Sequence, residues 1–109
     1  MVWTPLRNID LYNAVSNWLR YGVDTRRGHI STWNTSKITN MSNLFNDARY
    51  FNDDISNWNT CNVTDMSSMF KNARRFNINI NNWNVSNVRT MNSMFRNACS
   101  FNTPLYRWN

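Results

Sequence analysis

Four tryptophans, Trp33, Trp58, Trp83 and Trp108, stand 25 residues apart at every step. The interval is not theirs alone. It relates Ile38, Val63 and Val88, then Met41, Met66 and Met91, then Phe45, Phe70 and Phe95. It also relates Ala48, Ala73 and Ala98, then Phe51, Phe76 and Phe101, then Ile30, Ile55, Ile80 and Leu105. So many columns in register, with no insertion, constrain this chain more than any other feature. A unit repeated at such a period cannot bury its apolar side alone, so neighbouring units must stack.

Within the unit, Val63, Met66, Phe70 and Ala73 follow one another at intervals of three, four and three. That spacing fits one face of a short helix, with Met69 beside it and Thr64 or Asn62 as its cap. Asp54-Ile55-Ser56-Asn57-Trp58 reads as a short strand. The expectation is an α/β solenoid. It is of leucine-rich-repeat type, with right-handed coils of 25 residues, each a short parallel strand plus a short helix. Stacked coils would then build a parallel sheet.

Residues 1–28 stand outside the repeat. Leu11, Ala14, Val15, Trp18 and Leu19 follow the i, i+3, i+4, i+7, i+8 pattern of an amphipathic helix. It should begin at Asn8 or Asp10, end near Gly22 and cap the first coil. Residues 29–109 then hold the repeats, about three and a quarter of them, in one domain with the cap. The unit near Leu105 is not followed by a further predicted helix. That edge is expected to meet another subunit or protein, with Tyr106 and Arg107 at the contact.

Asparagine occupies 22 positions, while glycine and proline number two each. Most turns must therefore use Asn, Ser and Thr, whose side chains bond nearby backbone. Asn34, Asn59, Asn84 and Asn109 recur after the tryptophans and read as a ladder satisfying buried turn groups. The columns of Ser31, Ser56, Asn81 and Tyr106, and of Thr32, Asn57, Asn82 and Arg107, vary beside fixed neighbours. They are expected to be exposed.

The net charge is +6, from twelve basic residues against six Asp and no Glu. Such a chain favours acidic partners. Arg49, Lys71, Arg74, Arg75 and Arg96 fall near the expected helix ends and should align as a basic stripe, serving either the helix C-termini or an acidic partner. The repeated aromatics belong to the core rather than to the stripe, which makes single-stranded nucleic acid the weaker partner. His29 is the only histidine, so catalytic triads and His/Cys metal sites lack material, and no cofactor is implied. Asp53-Asp54 reads as a solvated turn. Cys61 and Cys99 read as free thiols. The N-x-[ST] sequences at Asn34, Asn40, Asn62 and Asn84 belong to the repeat. Neither a signal peptide nor a membrane span is expected.

Residues 55–70 read ISNWNTCNVTDMSSMF. With the following Ala73, Phe76 and Asn77, this unit resembles the BspA-like leucine-rich-repeat family. Those are surface-protein repeats abundant in mycoplasmas and present in protists, algae and large DNA viruses. The likeness covers residues 29–109. Asn stands here where that family usually has Asp after the Trp. The resemblance implies a solenoid that serves display, adhesion or protein contact, and no catalytic residues. The expected function is therefore a non-enzymatic interaction or structural module. It would dock on a larger assembly such as a large DNA virus capsid, and reside in the virion or host cytoplasm. Surface adhesion to a host, with a cell-surface location, is one alternative; nucleic-acid binding through the basic stripe is another.

Overall fold

The computed structural model describes residues 2–108. Its one α-helix, α1 (Asn8–Tyr21), follows the predicted pattern. Asp10 accepts the Arg7 backbone N–H at its start, and the Arg7 guanidinium grips the same carboxylate. Gly22, with φ 69°, ends it in the left-handed region that glycine enters without strain. Leu11, Ala14, Val15 and Trp18 are buried, whereas Leu19 is 41% exposed.

Helix α1 lies over the first repeat. In later repeats the N–H of Thr64 donates to the carbonyl of Thr39, and that of Arg89 to the carbonyl of Thr64. The first repeat has no predecessor to offer such a carbonyl. Asn8 replaces it: its Oδ1 accepts from the Thr39 and Asn40 N–H groups at 3.0 and 3.3 Å. The Tyr12 hydroxyl donates to the Ser42 carbonyl.

The expected α/β solenoid of leucine-rich-repeat type is contradicted. Among the described residues there is no strand, no sheet and no helix inside the repeat; besides α1 there is only a 3-10 turn at Ile30–Thr32. Parallel pairing is confined to the isolated bridges Asn40 with Asp65 and Asp65 with Thr90. The expected strand is instead a tight turn, in which the Trp58 N–H returns to the Ile55 carbonyl at 3.1 Å. The same bond closes Ile30 to Trp33, Ile80 to Trp83 and Leu105 to Trp108.

The expected helix fails for a different reason. A helix spends its N–H groups on its own carbonyls. Here every second N–H leaves its repeat. Those of Met41, Asn43, Phe45 and Asp47 donate to the carbonyls of Asp65, Ser67, Met69 and Lys71 at 2.8–2.9 Å. Those of Met66, Ser68, Phe70 and Asn72 donate likewise to Thr90, Asn92, Met94 and Arg96. The intervening groups close short turns, such as Leu44 to Met41 and Ala73 to Phe70. This alternation needs left-handed residues, found at Asn43, Asp47, Ser68, Asn72, Ser93 and Asn97 with φ of 55–65°. Asn, Asp and Ser are there because short polar side chains tolerate that region better than bulky or β-branched ones.

Stacking in register aligns like with like. Phe45, Phe70 and Phe95 stack at 5.6 and 5.7 Å, and Phe51, Phe76 and Phe101 at 6.0 and 5.8 Å. The last three repeat tryptophans each reach back one repeat: Trp58 Nε1 donates to Ile30, Trp83 to Ile55 and Trp108 to Ile80, whereas Trp33 donates to the nearby Gly28 carbonyl. In the middle repeat Val63, Met66, Met69, Phe70, Ala73 and Phe76 are fully buried. Their third-repeat counterparts Val88, Met91, Phe95, Ala98 and Phe101 are only half-buried, Met94 excepted.

The asparagines after the tryptophans act locally. Asn34, Asn59 and Asn84 are exposed and accept the N–H two residues on, from Ser36, Cys61 and Ser86. Asn109 lies outside the described residues. The side-chain rungs between repeats belong to other columns. The buried Thr35 and Thr60 donate to the carbonyls of Asn59 and Asn84, and Asn72 and Asn97 link Asp47, Asn72 and Asn97.

Carboxylates stitched into these turns make the fold acid-sensitive. Asp65 is held below the ordinary carboxylate range by the Ser67 N–H, the Ser67 hydroxyl and the Thr90 hydroxyl, against burial. The Ser56 hydroxyl and N–H lower Asp54. At Asp24 burial opposes, but is outweighed by Arg27 and by the Arg27 and Arg26 N–H groups. A lowered pKa in the folded chain stabilises it above the unfolded value, and that stability is lost as pH falls through the folded one. The melting temperature should hold from neutrality to about pH 5 and fall progressively below about pH 4. Asp65→Asn should flatten part of that fall; an unchanged acid slope would remove Asp65 from the account.

Candidate functional site

The repeat period places Arg49 and Arg74 in one column and Tyr50 and Arg75 in the next. The Arg75 N–H donates to the Arg49 carbonyl at 3.1 Å, so these two arginines lie on adjoining turns. The Arg75 guanidinium sits 5.0 Å from the centre of the Tyr50 ring, a cation–π contact. Arg49, Tyr50, Arg74 and Arg75 line one shallow depression. All four are exposed, Tyr50 to 72%.

Among the described residues no acidic side chain pairs with these arginines. The ion pairs are Arg7 with Asp10 and Arg27 with Asp24, and His29 comes within 3.9 Å of Asp53. With no helix in the repeat, the basic residues do not serve helix C-termini. Lys71 and Arg96 occupy a separate column, and their carbonyls accept from Asp47 and Asn72. Tyr106 and Arg107 are exposed on the turn that closes at Trp108. The variable columns are exposed or half-buried except at Asn81, which is buried and accepts the Arg107 N–H through Oδ1.

A groove adjoins the depression and shares Arg49 and Tyr50 with it. Trp18, Leu19 and Gly22 form its α1 side; Ala48, Tyr50 and Phe51 form its repeat side. Asp47 and Asp53 also line it, and both are engaged. Asp47 accepts from the Asn72 amide at 2.7 Å, and Asp53 from Trp18 Nε1 at 2.9 Å. Asn46, on the same wall, carries a buried Oδ1 that accepts no hydrogen bond.

Sequence reasoning found the arginines and missed Tyr50, which is matched in its column by Arg75 and Ser100. An unrepeated aromatic among core-forming repeated ones was the available signal. It also missed that Asp53 ties α1 to the first repeat and that Asp54 caps a turn at Ser56. His29 is exposed at a turn, with Nδ1 engaged by Ser31 and its ring 4.8 Å from Trp18. Among the described residues no group of three or more His, Cys, Asp or Glu is placed to hold a metal ion, and Cys61 and Cys99 are free.

No helix among the described residues is long and apolar enough to cross a membrane. The association with a virion or capsid finds no support in the fold or in the chain's relatives. No curated protein and no solved structure matches the chain. A family described as "Mycoplasma protein of unknown function, DUF285" matches residues 10–109, which take in most of α1 as well as the repeats, and the chain belongs to that family.

Proposed function

We propose that this chain is a non-enzymatic protein-binding module that docks on a larger assembly through its arginine face. The observation that carries the reading is the convergence of Arg49, Arg74 and Arg75 around an exposed Tyr50, with no acidic side chain of the described chain paired to them. Arginine and tyrosine are the residues that contribute most at protein interfaces, and arginine's planar fork suits carboxylates. The likeness of the repeat unit to BspA-like proteins supports protein contact as the role, and is the sole support for surface adhesion. It lends nothing to a strand-plus-helix coil.

A second reading has its own observation. Tyr50 beside three arginines is the pairing of stacking ring and cation that single strands use. Affinity capture from the native source separates the two. Wild-type chain should retain an acidic protein that the charge-reversed variant R49E/R74E/R75E loses, with nuclease treatment making no difference. Equal capture by the variant contradicts the arginine face. Loss on nuclease treatment, with salt-dependent binding of arbitrary single-stranded DNA, selects the second reading.

A further inference from the structure

The groove between α1 and the first repeat is floored by core side chains and flanked by exposed apolar ones. Trp18 and Phe51 close its base at 6% and 5% exposure, while Leu19 and Tyr50 stand at its rim, 41% and 72% exposed. An apolar groove that shares two residues with a basic depression is one continuous surface with two chemistries. We infer that it binds an acidic peptide segment, seating one apolar side chain between Leu19 and Tyr50 and laying its carboxylates on Arg49, Arg74 and Arg75. This deepens the protein-binding reading and rests on it.

Two features favour a peptide over other anionic partners. The surface is concave, which suits an inserted side chain, whereas a bilayer is met by an apolar face that projects into it. The charge is also polarised. Asp47 and Asp53 line the groove, and the arginines continue beyond Tyr50. An acidic segment therefore binds in one orientation, with its carboxylates on the side away from Asp53.

The probe is a fluorescein-labelled peptide of glutamates with one leucine, titrated into the full chain and read by anisotropy. A partner peptide has serine in place of the leucine, and a third has lysines in place of the glutamates. The leucine–glutamate peptide should bind, the serine peptide about tenfold more weakly, and the lysine peptide not at all. Leu19→Asn should weaken only the leucine peptide. Arg75→Glu should weaken both acidic peptides about tenfold or more. Both positions are on the surface, and unchanged melting temperatures confirm that the variants fold. If Arg75→Glu abolishes binding while Leu19→Asn and the serine peptide change nothing, the groove inference is wrong and the arginine-face reading stands. If neither acidic peptide binds, the inference is overturned, and the capture experiment decides the broader reading by itself. Binding of phosphatidylserine vesicles or an oligonucleotide in place of the peptides overturns both.

Discussion

Phe70→Ala is expected to destabilise the chain by about 3–5 kcal/mol. Phe70 is fully buried at the centre of the stack. Its ring lies 5.6 Å from Phe45 and 5.7 Å from Phe95 in the neighbouring repeats, and 4.0 Å from Phe76 in its own. Its backbone N–H donates across to Met94. Truncation leaves a cavity bounded on both sides by rings that cannot move inward without breaking their own register. A domain of this size has about 5–15 kcal/mol in all, so the variant should be largely unfolded or melt many degrees lower. Trp58→Ala, which also removes the bond to the Ile30 carbonyl, belongs in the same range. Urea titration measures both. A midpoint for Phe70→Ala within error of wild type would mean that the Phe columns do not hold the repeats together.

Trp18→Ala is expected to cost about 3–5 kcal/mol as well, by uncovering the first repeat. Trp18 is 6% exposed, meets Trp33 edge-on at 6.1 Å and donates from Nε1 to Asp53 at 2.9 Å. It is the side chain through which the last turns of α1 hold the stack. Trp18→Phe keeps the packing and loses the hydrogen bond, so its cost should be nearer about 1 kcal/mol. Thermal melts of the two variants check the ranking. Equal, small losses would show that α1 rests on the repeats without stabilising them.

The parts of this structure that could be read from the sequence are those set by burial. Periodic apolar residues report which side chains turn inward, and Phe70, Met66 and Trp58 do. The pattern in Leu11, Ala14, Val15 and Trp18 has one common solution, and α1 adopts it. The spacing of Val63, Met66, Phe70 and Ala73 has two. A helix satisfies it, and so does a chain that alternates short turns with bonds to the next repeat. Apolar spacing carries no information about where the N–H groups go. That information sat in the columns of Asn43, Ser68 and Ser93 and of Asp47, Asn72 and Asn97, all residue types that accept a left-handed backbone. At the candidate site, Arg49, Arg74 and Arg75 were evident from charge and period. The groove was not, because it is made where a helix outside the repeat meets the first unit.

Ser68 offers the most direct test of repeats held by left-handed turns. Its φ is 55°, its N–H donates to the Asn92 carbonyl, and its side chain makes no hydrogen bond among the described residues. Substitution therefore reports on the backbone alone. In a helix alanine would be the best residue there and glycine worse by about 1 kcal/mol. In a left-handed turn the order reverses, because glycine enters that region without strain and alanine does not. Ser68→Gly should therefore melt several degrees above Ser68→Ala, about 4–8 °C for each kcal/mol in a domain of this size. A Ser68→Ala variant that melts above both wild type and Ser68→Gly would contradict the left-handed turn.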